Sequence, residues 1–343
     1  MIHIGLLIFM HMRSIFTVSP PSFTITEVSE ILIEKYSIDG NVSELYSDRD
    51  QNFHVNDDGK KHVLKISNAV ENRSVLELQD LASKHMMLND PTIQIPTLAS
   101  EIIEIKKGRE VFFMRLMHYL EGNFLGEQGT PDVDPFNVGT FLGRVSCALD
   151  GFDHPGAHRP FEWDARQTEL IRKISEHVTS RKDQDTVGFF LNEFEKVIPT
   201  LVQDMRMSVI HNDGNDHNIL IDGNGKIIGL IDFGDMVHSH QALEPAVAMA
   251  YAALDNDDPF TSISSMLEGY HSMYPLTKNE VLSTIYLMCS RLCITVCMAA
   301  WRKRLFPENT YLTISESSAW SLLRMMEKED LGVWSNRLVE HAG

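Results

Sequence analysis

The run His211-Asn212-Asp213-Gly214-Asn215-Asp216-His217-Asn218, followed by Ile231-Asp232-Phe233-Gly234-Asp235, constrains this chain more than any other segment. Asp213 precedes Asn218 by five positions, and Asn218 precedes Asp232 by fourteen. Ile219-Leu220-Ile221 and Ile227–Ile231 lie between them, separated by Gly and Asp, and read as two short strands and a turn. A loop, a hairpin and a second loop thus return Asp232 towards Asn218 and Asp213. Polar residues this dense between apolar strands make a poor core and a good site.

The rest of the chain reads as scaffold of two kinds. Thr24-x-x-Glu27 is a capping-box pattern, and Val28, Ile31, Leu32 and Tyr36 follow at helical spacing, which predicts a helix over 24–36. The period then falls to two. Strands are expected at 43–47, 52–56 and 61–66, with Asn56-Asp57-Asp58-Gly59 as the turn before the last. Residues 71–89 read as a helix with Val75, Leu78, Leu81, Ala82 and His85 on one face. Ile102–Lys106 and Val111–Leu116 read as a hairpin turning at Lys107-Gly108-Arg109. From about 121 the pattern is mainly helical, apart from 207–233. The expected fold class is α+β and bilobal: an N-terminal antiparallel β-sheet lobe with one main helix (24–117), then a mainly helical C-terminal lobe (118–343), with an N-terminal extension at 1–23.

The formal net charge of −18 argues against a nucleic-acid partner, whose phosphates would be repelled. Four cysteines, Cys147, Cys289, Cys293 and Cys297, form no C-x-x-C pair. The last three recur at i, i+4, i+8 among apolar neighbours, which predicts a buried core helix and a reducing, cytoplasmic setting. Ile4–Met10 is the only signal-like run, yet no Lys or Arg precedes it and Pro20-Pro21 follows in place of a cleavage pattern; Met12 is an alternative start. The most apolar stretch, Ile285–Trp301, contains Arg291, and no membrane association is expected.

The spacing H-x-D-x-x-x-x-N, then a hairpin, then D-F-G, is similar to the catalytic and metal loops of kinases. The resemblance implies that Asp213 accepts or orients the proton of an attacking hydroxyl. It implies too that Asn218 and Asp232 supply the oxygen ligands a hard cation such as Mg²⁺ demands. Electrostatics points the same way. Asp213, Asp232 and Asp235 crowd a site meant for a polyanion, and two like charges ~4 Å apart cost on the order of 4 kcal/mol at an effective dielectric of ~20. Nucleotide binding there requires a divalent ion. Lys65, inside an apolar strand, and Glu77, twelve residues later, match the pair that fixes a lysine against the α- and β-phosphates. No G-x-G-x-x-G precedes Lys65. The turn Ser47-Asp48-Arg49-Asp50-Gln51-Asn52-Phe53 stands in its place, with Ser47 and Asn52 as candidates to cover the phosphates. This departs from protein kinases and points to the small-molecule branch of the fold.

Several blocks sharpen the resemblance: Asp50-Gln51-Asn52-Phe53-His54-Val55, Val63-Leu64-Lys65-Ile66-Ser67-Asn68, Asn215–Ile221 and Asp232-Phe233-Gly234-Asp235-Met236, with Cys289-Ser290-Arg291 and Pro307-Glu308-Asn309 in the last helices. Over roughly 40–330 the chain resembles the aminoglycoside phosphotransferase and choline kinase superfamily, and within it the hydroxylysine kinase branch. That resemblance implies a protein-kinase-like fold, GTP or ATP as donor, Mg²⁺, and a small amino alcohol, 5-hydroxylysine, as acceptor. It makes His211 a scaffold of the loop and leaves Asp235 and Glu244 in support. The run Met114–Tyr119 is a candidate purine-binding hinge. Trp163 with Asp164, and Asp150 with Asp153, are candidates to receive a cationic substrate, set against a core or solvated reading of the same residues. Asn212 departs from the family, which usually has Gly between the His and the Asp. Alternatives are an aminoglycoside, homoserine, choline or ethanolamine as acceptor. Two further rivals are a pseudokinase and a metallohydrolase using His211, Asp213, Asp216 and His217 as ligands.

Overall fold

The computed structural model describes residues 14–309 and 313–342. The readings of Ile4–Met10 and Met12 fall outside them. The described chain divides into two compact units. One runs up to Arg73 and takes Pro96–Tyr119; the other takes Ser74–Ile95 and the chain from Leu120 onward.

The first unit begins with α1 (Ile25–Tyr36). Thr24 and Glu27 form the reciprocal cap read from the sequence, and Ser37 ends the helix in the left-handed region. Five strands follow: β1 (Asn41–Leu45), β2 (Gln51–Asp57), β3 (Lys60–Ile66), β4 (Ile103–Lys107) and β5 (Glu110–His118). They pair antiparallel in the order β1-β2-β3-β5-β4. Asp58 (φ 47°) and Gly59 (φ 89°) make the tight turn between β2 and β3, where two successive positive φ values exclude most side chains. Alternation sorts the faces. Phe53, Val55, Leu64, Ile66, Met114 and Leu116 are buried with Val28 and Leu32 of α1, each full burial contributing about 1.5–3 kcal/mol. On the opposite face, Asn52, Lys65 and Arg115 are register partners across β2, β3 and β5. β1 lies two residues earlier than the sequence suggested.

The second unit opens with all but the first residue of α2 (Arg73–Asn89), so this helix groups by contact with the helical part rather than with the sheet. Then come β6 (Asn123–Phe124), α3 (Pro135–Leu149), α4 (Thr168–Ser175), α5 (Arg181–Leu201), β7 (Met207–Ile210), β8 (Ile219–Ile221), β9 (Ile227–Leu230) and β10 (Val237–His240). α6 (Leu243–Ala252), α7 (Pro259–Met273), α8 (Lys278–Leu305), α9 (Glu316–Met326) and α10 (Leu331–Ala342) complete it. β7 pairs with β10, and β8 pairs with β6 and β9, all antiparallel. The sequence reading ended this β-region at 233 and missed β10, because Val237-His238-Ser239-His240 lacks a clear apolar alternation.

Two glycines set the crossing of α3 and α7. A Cβ on Gly139 would overlap the Met266 carbonyl, and one on Gly269 would overlap that of Phe136. The backbones therefore touch, and α3 is seated so that Leu142 packs against Gly214. α8 runs through the core of the unit. It is long and apolar enough to cross a bilayer by length and composition, yet 89% of its most apolar stretch is buried inside the fold. Cys289, Cys293 and Cys297 lie buried along it, and burial pushes their thiols up, away from the reactive thiolate.

Candidate active site

β7 delivers the chain into the loop 211–218, and β8 takes it away. His211 is buried, and both its ring nitrogens are engaged. Nδ1 accepts from the Asp213 amide (3.3 Å), so Nε2 carries the proton and donates to the Ile231 carbonyl (3.0 Å). The ring also meets Phe233 edge-on at 5.0 Å. One imidazole thereby ties the loop to the segment before Asp232, and it has no nitrogen to offer a metal, contrary to the metallohydrolase reading.

Asn212 adopts φ 65°. This is the left-handed region, open to glycine at no cost and to asparagine more readily than to most other residues. The departure from the family's usual Gly thus preserves the backbone. Asn212 also donates from its amide N to Glu244 Oε2 (3.1 Å) and from its side chain to the Trp163 and Asp235 carbonyls (both 3.3 Å). Glu244, the second residue of α6, is buried beneath the loop, and burial pushes its carboxyl up against the opposing hydrogen bond from the Asn212 amide.

Asp213 is the focus. Its Oδ1 accepts from Asn215 Nδ2 (3.0 Å) and Arg291 Nη2 (2.8 Å), and its Oδ2 from Asn218 Nδ2 (2.7 Å). Asn218 Nδ2 also reaches the Asp213 carbonyl (2.9 Å). With its nitrogen committed twice to Asp213, the Asn218 amide presents its oxygen as the remaining ligating atom. Asp232 stands at φ 59° at the end of β9, exposed, with Oδ1 accepting from the Gly234 amide (3.3 Å). Burial pushes the Asp213 carboxyl up to about 6; Arg291 opposes the rise, and Asp235 and Asp232 add to it. Among the described residues, no three His, Cys, Asp or Glu side chains gather as a metal-binding group. A cation here would be held by one carboxylate, one amide oxygen and the ligands that arrive with it, the usual complement for Mg²⁺ at a nucleotide.

The structure brings His211, Asp213, Asn218, Asp235 and Glu244 together around one loop, with Asp232 near enough to act on Asp213. Glu77 is half-buried in the first half of α2. In the first unit, Lys65 and Asn52 stand side by side on the polar face of the sheet, and Ser47 sits in the loop between β1 and β2. Met114–His118 lie within β5.

Of the residues proposed for a cationic substrate, Trp163 and Asp164 are engaged within the fold, while Asp150 and Asp153 are exposed and hydrogen-bonded at the surface. The Trp163 ring lies 4.4 Å from the Arg291 guanidinium, and Asp164 is fully buried under a two-pronged contact from Arg166. Asp153 pairs with His158 (2.7 Å), and Asp150 accepts from Tyr274 (3.2 Å). Arg291 was missed as part of the site. The signal was present: it is the one charge in the most apolar stretch of the chain.

Comparison with known proteins agrees with this geometry. The hydroxylysine kinase of Mus musculus is 28% identical over 338 residues, spanning 89% of this chain and 90% of that protein. Its counterpart in Bos taurus is 27% identical over 341 residues, with the same coverage. A microcompartment-associated aminopropanol kinase shares the fold at a TM-score of 0.67 and 14% identity, covering 93% of this chain and 99% of that one. An amicoumacin kinase, solved in complex with AMP-PNP, Ca²⁺ and Ami, does so at 0.65 and 14%, covering 90% and 99%. Residues 41–276, which take in the loop, the hairpin and Asp232, match the phosphotransferase enzyme family. The chain belongs to that family and is a small-molecule phosphotransferase on a kinase-like fold.

Proposed function

We propose that this enzyme transfers the γ-phosphoryl group of GTP or ATP to the side-chain hydroxyl of 5-hydroxylysine. The observation that carries the reading is the Asn218 amide, which donates to Asp213 and so turns its oxygen outward while steadying the proton acceptor. Asp213 takes the hydroxyl proton; Asn218 and Asp232 hold Mg²⁺, which supplies charge neutralisation at the phosphates when bound. Lys65 and Glu77 serve to anchor the phosphates, and Ser47 and Asn52 to cover them. Hydroxylysine as acceptor is supported by the names of the relatives matched over nine-tenths of their length. A cytoplasmic location fits the buried free thiols.

The decisive experiment is turnover of purified protein with GTP or ATP, Mg²⁺ and a panel of amino alcohols. Hydroxylysine is expected to be phosphorylated with the highest kcat/KM. Turnover of choline, aminopropanol or an aminoglycoside, with none of hydroxylysine, overturns the acceptor and leaves the phosphotransferase standing. Asp232→Ala is expected to abolish magnesium-dependent turnover.

A further inference from the structure

Arg291 is a full cation in the middle of the core helix, and it is 1% exposed. A charge so placed is costly unless fully used. Its Nη2 donates to Asp213 Oδ1 (2.8 Å) and meets the Tyr251 hydroxyl (3.4 Å); its Nη1 reaches the carbonyls of Asn212 (3.3 Å) and Trp163 (3.4 Å). The guanidinium carbon lies 4.4 Å from the Trp163 ring centre and 5.9 Å from that of Tyr251. Both aromatic rings are therefore contact surfaces for the cation. Nε, by contrast, has no acceptor. The side chain gives up one hydrogen bond in an orientation that sends its outer nitrogens to residues 212 and 213.

The consequence falls on Asp213. Oδ1 accepts from Arg291 and Asn215, which occupies both its lone pairs. Oδ2 accepts from Asn218, and among the described residues from nothing else, so one lone pair remains there. We infer that Arg291 is a positioning residue for phosphoryl transfer: with Trp163 and Tyr251 it clamps Asp213 by Oδ1 and leaves Oδ2 as the oxygen that takes the acceptor's proton. In that step the acceptor oxygen bonds to the γ-phosphorus as the bond to the bridging oxygen breaks. The electron pair leaves on the nucleoside diphosphate, and the hydroxyl proton passes to Oδ2. The inference rests on the phosphotransfer reading and adds to it a residue outside the family-matched segment.

The test uses Arg291→Met, which keeps the length and apolar contact, Arg291→Lys, which keeps the charge without the planar fork, and Asp213→Asn, alone and combined with Arg291→Met. Arg291→Met is expected to lower kcat by about 10²-fold, the scale of a misplaced reacting group, with KM for nucleotide and acceptor within about threefold. Arg291→Lys recovers part of that loss. In the Asp213→Asn background, Arg291→Met lowers kcat by less than about threefold, because the clamped group is no longer a base. A kcat within threefold of wild type for Arg291→Met, or an equal loss in both backgrounds, overturns the clamp. Should Arg291→Met yield no folded protein, wild-type kcat in Arg291→Lys overturns it instead. If the wild-type enzyme turns over no acceptor, the functional reading fails, and the clamp is judged by thermal unfolding alone. Arg291→Met must then lower Tm more in the wild-type background than in Asp213→Asn, and an equal loss overturns it.

Discussion

Of the carboxylates in the second unit that meet arginines, Glu280 and Asp213 do so in opposite ways. Glu280, at the start of α8, is fully buried and saturated. Arg206 approaches with its side-chain fork (Nη2 to Oε2 at 2.6 Å, Nε to Oε1 at 2.9 Å) and its own backbone amide (2.8 Å), and Thr277 adds another amide (2.8 Å). Burial raises the carboxyl, yet these donors prevail and hold it below the usual glutamate range. Asp213 receives one arginine nitrogen and two side-chain amides, has acidic neighbours, and is pushed up to about 6. The same chemical pair is thus tuned to two ends. The saturated one fixes structure, and the one with a lone pair to spare is left able to react.

The contrast can be broken most directly at Asp213. Asp213→Ala is expected to lower kcat by at least ~10²-fold, the scale of a positioned acid–base group, with the fold retained by circular dichroism. A loss under tenfold would assign Asp213 to positioning alone. At the other carboxylate, Glu280→Ala removes charge-assisted hydrogen bonds from Arg206 and should cost roughly 2–3 kcal/mol in chemical denaturation. Any protein that remains folded should keep its kcat, and a variant that loses rate without losing stability would erase the distinction.

Acid separates the two groups by a smaller effect. Asp213 has a folded pKa raised to about 6 and must be ionised to take a proton, so kcat/KM should fall about tenfold per pH unit below ~6. Glu280 is depressed in the folded state, so its stabilising contribution is present above its unfolded pKa and is lost only as pH falls through the lower folded value. Between pH 5 and 6 the enzyme should therefore lose rate while its unfolding transition holds. Coincident loss of both would refute the comparison. Smallest of all, Gly214→Ala places a Cβ 2.9 Å from a flexible Leu142 methyl, which can yield; a decrease in kcat below tenfold is expected from steady-state kinetics.

What the sequence made legible was local. The cap at Thr24, the turn at Asp58-Gly59 and the Asp213–Asn218 interval are set by neighbours a few positions apart, where residue type and spacing speak directly. Asp232 was readable because a hairpin of known type returns it. Arg291 and Glu280 were not, since their partners lie 78 and 74 residues away and only the packing of α8 unites them. Trp163 shows the limit in another way. An aromatic ring that meets a cation was anticipated, but the cation turned out to be the protein's own. Asn212 is the reverse case. A mismatch with the family's glycine reads as a defect until the dihedral shows that asparagine fills the same backbone role.

α8 carries both arginine partnerships. Glu280 pins Arg206 just ahead of β7, and Arg291, eleven residues further along the same rod, pins Asp213 just beyond it. The short strand is thus pegged at both ends to one ruler about 16 Å long. Inserting a single residue between the pegs would swing the far one by about 100° about the helix axis. The spacing between Glu280 and Arg291 is therefore a length standard for the catalytic strand, and evolution can lengthen this protein almost anywhere more cheaply than there.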